Sequence, residues 1–232
     1  MTSYVIAPPP VPSVAVAGTD QRFPVRRIIC VGRNYEAHAR EMGKDPTREA
    51  PFFFMKPADA IVEDGATIPY PPDTSNLHYE IEMTVAIGTG GTDIAEADAL
   101  NHVWGYGVGI DLTRRDRQGE AKDAGRPWEW GKGFDRSAPM APLHPVSAAG
   151  HIAKGRIWLA VNGKVRQDQD VADLIWSVPE IIAICSRSMA LQPGDVIMTG
   201  TPAGVGAIVA GDVVTGGVAG LGEITLTLGP KA

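Results

Sequence analysis

The sequence has little cysteine, no long apolar run and no excess of positive charge. Its two cysteines, Cys30 and Cys185, are far apart, and neither belongs to a Cys-x-x-Cys or Cys/His zinc pattern. This excludes disulfide-stapled and zinc-ribbon proteins, and we expect a reduced, cytoplasmic setting. No segment approaches the ~18 consecutive apolar residues of a membrane-spanning helix, and the N-terminus lacks a signal-peptide pattern.

The charge balance argues against binding to nucleic acid or to an anionic membrane. The 232 residues include 21 Lys and Arg against 27 Asp and Glu, which gives a net charge of −6. Those partners require a basic surface. An anionic small substrate remains compatible with the sequence, because a local pocket can oppose the overall sign.

Glycine and proline are abundant, at 27 and 19 residues, which predicts many turns and few long helices. Asn34 is expected to cap a helix that runs to about Met42. Short apolar or alternating runs predict strands over 27–31, 77–88, 103–110, 157–161 and 196–199. We therefore expect a β-rich α+β fold with a Pro-rich N-terminal arm over 1–24 and a single domain over 25–232.

Glu80 and Glu82 lie two residues apart on one face of a predicted strand, so their carboxylates are adjacent. Adjacent carboxylates repel each other unless a cation intervenes. Asp111, directly after an apolar strand, is the candidate for a third oxygen ligand, and such a set would prefer magnesium or manganese to zinc. A solvated strand face is the alternative. His78 shares this face, and a structural role is favoured for it over metal ligation.

His38 and Glu41 share a face if their segment is helical. A carboxylate fixes the tautomer of a neighbouring imidazole and favours its action as a general base on water. The spacing alone favours an ordinary surface pair, worth ~0.2–0.5 kcal/mol.

Cationic and glycine-rich segments could bind an anion. Arg115, with Gln118 three residues later and Lys132 further on, could hold a carboxylate, whereas Arg114 is expected to be solvated. The glycines of the 200–206 loop allow backbone N–H groups to point at an anion. A tight turn between strands explains these glycines equally well.

A series of short motifs, in this order, resembles the fumarylacetoacetate hydrolase family, and the resemblance runs from about residue 25 to 228. The motifs are Ile29-Cys30-Val31-Gly32-Arg33-Asn34-Tyr35 with His38-Ala39-Arg40-Glu41, Phe54-Met55-Lys56-Pro57, His78-Tyr79-Glu80-Ile81-Glu82, Gly105-Tyr106, Asp111-Leu112-Thr113-Arg114-Arg115-Asp116, Lys132 before Phe134, Val161-Asn162-Gly163 and Gly200-Thr201-Pro202-Ala203-Gly204-Val205-Gly206. Within the family, four segments are most similar to bacterial enzymes that split fumarylpyruvate, which derives from the ring-cleavage product of gentisate. They are the Pro-rich start, the Phe-Pro-Val-Arg-Arg sequence over 23–27, and segments 118–122 and 126–128.

The resemblance implies a rolled mixed sheet with few short helices, a homodimer, and a magnesium or manganese ion. It implies that Glu80, Glu82 and Asp111 hold the metal, and that His38 and Glu41 activate water. Lys132 is the candidate donor to an oxyanion, although Gly131 and Gly133 beside it predict a looser backbone. Arg115, Gln118 and Thr201 match positions that contact the substrate or the surroundings of the metal.

The resemblance further implies hydrolysis of a carbon–carbon bond in an acylpyruvate, with fumarylpyruvate and water giving fumarate and pyruvate. Decarboxylation of oxaloacetate, hydrolysis of another acylpyruvate and isomerisation of an oxo-acid are alternatives on the same site. A non-catalytic protein that binds a metal or a carboxylate is the alternative from another class.

Overall fold

Short strands dominate the described residues, which are 3–41 and 49–231 of a computed structural model. The strands are β1 Ser13–Ala15, β2 Arg22–Pro24, β3 Arg27–Gly32, β4 Phe52–Lys56, β5 Ile61–Glu63, β6 Thr67–Tyr70, β7 Leu77–Tyr79, β8 Ile81–Ile87, β9 Val103–Ile110, β10 Thr113–Arg114, β11 Ala138–Met140, β12 His144–Pro145, β13 Arg156–Val161, β14 Lys164–Asp170, β15 Asp195–Met198, β16 Gly206–Ile208, β17 Val213–Val218 and β18 Glu223–Lys231. The helices are α1 Glu36–Glu41, α2 Arg115–Asp123, α3 Glu129–Lys132, α4 Val146–Ala149 and α5 Val178–Ser188, with 3-10 turns at Ala58–Ala60, Glu96–His102 and Val171–Asp173.

A mixed eight-stranded sheet forms the centre of the fold. Its strands follow the order β4-β3-β15-β8-β9-β11-β5, with β12 beside β9. A five-stranded sheet, β14-β13-β17-β18-β6, and a three-stranded sheet, β10-β7-β16, accompany it. Strand β3 is parallel to β15, whereas β8 and β9 are antiparallel. The predicted β-rich α+β fold, with a rolled mixed sheet and few short helices, is confirmed.

Both faces of the central sheet are buried. Ile29 and Val31 of β3 face the main hydrophobic core, and Ile28 of the same strand faces a second core. The β1–β2 hairpin adds Val14 and Phe23 to this second core. Part of the N-terminal arm therefore packs against the sheet, and the division of the chain at residue 24 stays a prediction.

Two local predictions need correction. Asn34 does not cap α1, because its side chain bonds the backbone of Trp176 and Thr199 instead. The predicted end of that helix, at Met42 and Gly43, lies outside the described residues. The single strand expected over 77–88 is two strands in different sheets, with a break between them at Glu80.

No helix among residues 3–41 and 49–231 is long and apolar enough to cross a membrane.

Candidate active site

Pairing between β8 and β9 brings the three candidate metal ligands together. Glu82 of β8 lies opposite Gly109, and the Asp111 N–H donates to the Glu80 carbonyl at 2.8 Å. One carboxylate oxygen from each of Glu80, Glu82 and Asp111 lies within 4.8 Å of the others, and all three residues are buried. The break between β7 and β8 positions Glu80 beside Asp111, so one corner of the fold holds a buried acidic cluster.

Two of these three carboxylates have cationic partners. The Lys132 ammonium donates to Glu80 Oε2, Asp111 Oδ2 and Thr113 Oγ1, each at 2.7 Å. Glu80 also accepts from the Arg115 guanidinium, while Asp111 Oδ1 lies 2.8 Å from the Lys56 Nζ. The cations are therefore distributed over two members of the cluster.

Glu82 differs from its neighbours, because no Lys or Arg of the described segments forms an ion pair with it. Its Oε2 accepts a 2.7 Å hydrogen bond from the Gly200 N–H. Burial and the charges of Asp111 and Glu80 raise the pKa of Glu82 well above its ordinary value. At Glu80 burial acts in the same direction, but Lys132 and Arg115 outweigh it and hold its pKa below the ordinary value.

This donor set fits a hard divalent cation. The cluster offers carboxylate oxygens without thiolate or imidazole, which is the chemistry that magnesium and manganese prefer. A cation bound at Glu82 would offset the repulsion that its two neighbours exert there. The residues present therefore suit the metal that the sequence resemblance implies.

His38 and Glu41 form the hydrogen-bonded pair that their spacing predicts. The His38 Nδ1 lies 3.1 Å from Glu41 Oε2 on α1, and the imidazole is buried. Glu41 also accepts from the Gly204 N–H, with both oxygens at 3.2 Å. The hydrogen bond from His38 is the largest cause that lowers the pKa of Glu41. The carboxylate is therefore ionised at neutral pH and holds the proton of His38 at Nδ1.

Arg115 and Gln118 meet on α2 as their spacing predicts, with the Arg115 Nη1 donating to Gln118 Oε1 at 2.6 Å. Lys132, at the end of α3, is 2% exposed and makes three hydrogen bonds, so its ammonium is firmly placed despite the flanking glycines. Close packing explains why residue 131 is glycine, because a Cβ there would come within 3.0 Å of the Gln118 backbone. A glycine at this position lets α3 approach α2 closely.

The 200–206 loop donates backbone N–H groups to two carboxylates of the protein itself. Gly200 donates to Glu82 and Gly204 to Glu41. Between them Thr201 is buried, and its Oγ1 accepts from Gln167 Nε2 at 2.8 Å. The loop therefore connects the acidic cluster to the His38–Glu41 pair.

A cavity connects most of these groups. Its lining residues are Val31, Gly32, Arg33, His38, Phe54, Glu80, Glu82, Arg115, Gln118, Lys122, Trp128, Lys132 and Thr201. Of the nine predicted site residues, Glu41 and Asp111 lie behind this lining, in contact with His38 and Lys132. A substrate in the cavity would therefore reach both the acidic cluster and the imidazole.

Sequence reasoning assigned no role to Lys56, which is a fully buried cation of the cluster. Its Nζ pairs with Asp111 and donates to the Leu112 and Lys132 carbonyls. The available signal was a lysine that ends the apolar run of β4 and precedes Pro57. Such a position places a charged group at the edge of the core, where it needs a partner.

His78, for which a structural role was expected, and Arg114, which was expected to be solvated, both lie beside the acidic cluster. His78 bonds Asn76, and desolvation together with the Arg115 charge lowers its pKa to about 4. It does not belong to the acidic ligand group. Arg114 is half-buried with its guanidinium 4.3 Å from the Phe134 ring centroid, so the expectation that it is solvated is wrong.

Comparisons with known proteins agree with this fold and site. The fumarylacetoacetate (FAA) hydrolase C-terminal family matches residues 27–228. The fumarylpyruvate hydrolase of Ralstonia sp is 47% identical over 186 residues, which cover 80% of this chain and 96% of the relative. The mitochondrial oxaloacetate tautomerase FAHD1 of Homo sapiens is 39% identical over 200 residues, which cover 86% of this chain and 90% of the relative.

A crystal structure of fumarylpyruvate hydrolase from Pseudomonas aeruginosa in complex with Mn2+ and pyruvate has the same fold. It is 52% identical, with a TM-score of 0.96 over 99% of this chain and 100% of its own length. Since the family match covers most of the sequence and two relatives exceed one third identity, the chain belongs to the fumarylacetoacetate hydrolase family.

Proposed function

We propose that this protein hydrolyses a carbon–carbon bond of an acylpyruvate in a metal-dependent reaction, and that fumarylpyruvate and water give fumarate and pyruvate. One observation carries the proposal, which is that a single cavity exposes both a buried acidic cluster and the imidazole of His38. The similarity to the fumarylpyruvate hydrolases of Ralstonia and Pseudomonas supports the choice of substrate.

Glu80, Glu82 and Asp111 would hold a magnesium or manganese ion. When bound, the ion supplies Lewis-acid polarisation of the 2-oxo-acid end of the substrate. The side chains beside the cluster orient that end. Arg115 and Gln118 share a hydrogen bond in the cavity wall, and an Arg guanidinium suits a carboxylate because it can donate two parallel hydrogen bonds.

His38 is the proposed general base. Glu41 accepts a hydrogen bond from the N–H at Nδ1 of His38. The lone pair of Nε2 is therefore free to take a proton from water. The water oxygen bonds to the carbonyl carbon of the acyl group while its proton passes to His38. Thr201 lines the same cavity, which supports its proposed contact with the substrate.

The adduct collapses with cleavage of the bond between the acyl carbon and the pyruvate methylene. The electron pair of that bond goes to pyruvate, which leaves as its enolate and takes up a proton, while fumarate keeps the oxygen from water. Lys132 is the proposed donor to the oxyanion of the adduct. Its three N–H groups already bond Glu80, Asp111 and Thr113, so it must release one of them to do so.

Chemistry on oxaloacetate is the second candidate, because the human relative is named as an oxaloacetate tautomerase. Decarboxylation requires no base that activates water, so the buried His38–Glu41 pair favours hydrolysis over it. Tautomerisation could use the same imidazole to move a proton, and against it stands the higher identity to a fumarylpyruvate hydrolase, 47% compared with 39% for the tautomerase.

Absorbance of fumarylpyruvate, followed with magnesium, with manganese and after chelation, tests the proposal. We expect metal-dependent loss of substrate with stoichiometric fumarate and pyruvate. Unchanged fumarylpyruvate, together with metal-dependent conversion of oxaloacetate, would show that the second candidate is correct.

Assembly and setting complete the proposal. We propose a homodimer in the cytoplasm that acts on fumarylpyruvate in the degradation of gentisate. Exposed apolar side chains of the arm, among them Val5 and Ile6, support self-association, and the free buried thiols of Cys30 and Cys185 fit a reducing compartment. Light scattering coupled to size exclusion checks the dimer.

A further inference from the structure

The cavity contains two cations that the chemistry above does not use. Four of its lining residues are cationic, namely Arg33, Arg115, Lys122 and Lys132. Arg115 and Lys132 are both bound to Glu80. Within residues 3–41 and 49–231, Arg33 and Lys122 form no ion pair and donate no side-chain hydrogen bond. These two are therefore the cations of the cavity lining whose charge no carboxylate of the described residues offsets.

These two cations lie toward the outer end of the cavity. Glu80 and Lys132 at the inner end are 5% and 2% exposed, whereas Arg33 is half-buried and Lys122 is exposed. Helix α2 contributes Arg115, Gln118 and Lys122 to the lining, a spacing of three and then four residues that places them along one helix face. Arg115 and Lys122 are therefore about 10 Å apart along the axis, at ~1.5 Å per residue.

One aromatic ring contacts Arg33, and neighbouring rings line part of the cavity. The Arg33 guanidinium lies 5.0 Å from the Phe52 ring centroid, and the Phe52 ring meets Trp128 at 4.9 Å. Gly32 is needed for this arrangement, because a Cβ there would lie 2.1 Å from the Phe52 ring. Phe54 and Trp128 line the cavity itself and offer flat apolar surfaces.

We infer that Arg33 and Lys122 bind a second carboxylate, at the end of the acyl group remote from the pyruvate moiety, and so select dicarboxylic acylpyruvates over neutral ones. This inference rests on the proposed function. The separation along α2 is comparable to the length of fumarylpyruvate in extended form, and the ring faces suit its flat conjugated acyl chain. One end of the substrate binds beside Arg115, and the other lies between the two unpaired cations.

Two substrates test this assignment. Fumarylpyruvate has the remote carboxylate, and acetylpyruvate lacks it. The measured quantity is kcat/KM for fumarylpyruvate divided by kcat/KM for acetylpyruvate. A purely structural loss lowers both values and leaves this ratio unchanged. We compare wild type with Lys122→Met, Arg33→Asn and the double variant. Asn is chosen because Arg33 has a φ of 57°, a region that Asn tolerates well.

We expect each single variant to lower the ratio and the double variant to lower it by about tenfold, which corresponds to about 1.4 kcal/mol. Lys122→Arg should keep most of the wild-type ratio because it keeps the charge. The matched control is Lys164→Met, which removes an exposed lysine of β14 outside the cavity lining and should leave both values unchanged.

A ratio that changes less than twofold in the double variant, while wild type consumes fumarylpyruvate, overturns this inference and leaves the proposed function intact. Wild type that consumes neither acylpyruvate overturns the proposed function, and this inference falls with it.

Discussion

Glu82→Gln is expected to make the metal-free protein more stable and to remove its response to magnesium or manganese. Glu82 is the buried carboxylate of the acidic cluster that has no cationic partner among the described residues, and it faces Glu80 and Asp111. A neutral amide of nearly the same shape removes that repulsion. The same change removes one anionic ligand, so stability and metal affinity should move in opposite directions.

The sizes of the two effects can be estimated separately. Metal at 100 times its dissociation constant stabilises the wild type by about 2.7 kcal/mol. For a chain of this size each kcal/mol shifts Tm by roughly 2–4 °C, so the expected rise is about 5–10 °C. Loss of a residue that only supports a metal ligand costs about 10–100-fold in affinity, and loss of the ligand should cost at least as much. The metal-free variant should melt several degrees above metal-free wild type.

Differential scanning calorimetry after chelation and with added metal measures both effects. Exposed Glu223→Gln is the control, since it removes one carboxylate outside the cluster. Equal metal-induced shifts in wild type and Glu82→Gln would refute Glu82 as a ligand. A metal-free variant less stable than wild type would refute the repulsion argument.

The stability advantage of Glu82→Gln and the metal affinity of the wild type should both depend on pH, each in a definite direction. Burial and the charges of Asp111 and Glu80 raise the pKa of Glu82 in the folded protein. Ionisation of this group therefore opposes folding, and the advantage of Glu82→Gln should be absent below the ordinary carboxyl pKa and grow as the pH rises. Protons compete with the metal for the Glu82 carboxylate, so metal affinity should fall as the pH is lowered.

Three further substitutions test other parts of the structure. His38→Ala should keep the metal-induced rise in Tm and lower kcat for fumarylpyruvate by about 10²–10⁴-fold, and near-normal turnover would show that another group is the base. Asn34→Ala removes the three hydrogen bonds of a buried side-chain amide, among them that from the Trp176 N–H, and should cost about 3 kcal/mol in urea unfolding; a loss below about 1 kcal/mol would contradict this. Asp195→Asn removes the buried charge that Arg26 and Arg27 share and should cost about 1.5–3 kcal/mol by the same assay, whereas an unchanged midpoint of unfolding would show that this charge contributes nothing to stability.

The strands were predictable because their signals are local. The apolar run over 103–110 predicts β9 with its observed bounds, and Asn162-Gly163 predicts the hairpin between β13 and β14. Both turn residues have positive φ, at 51° and 75°, which is the backbone that this dipeptide favours. The β1–β2 hairpin was missed, because its strands are only three residues long and the prolines just before β1, at 8–10 and 12, suggest an extended arm.

The candidate site was predictable where spacing along one element places groups together. His38 with Glu41, and Arg115 with Gln118, follow from helical spacing. The pairing of Asp111 with Lys56 does not follow from spacing, because Lys56 is on β4 and the contact depends on how distant strands are arranged. The same holds for Asn34, whose local pattern suggests a helix cap but whose amide bridges two segments more than a hundred residues away.

The 200–206 loop shows how backbone geometry joins two separately recognisable motifs. Gly200 and Gly204 have φ values of 99° and 97°, which other residues rarely adopt. A Cβ at Gly204 would also lie 2.1 Å from the Arg166 carbonyl. Because both residues are glycine, the loop can pass close to its neighbours while its N–H groups bond Glu82 and Glu41. A short stretch of backbone thus sets the distance between the acidic cluster and the proposed base. This fixed distance would hold the attacking water close to the carbonyl carbon of the substrate.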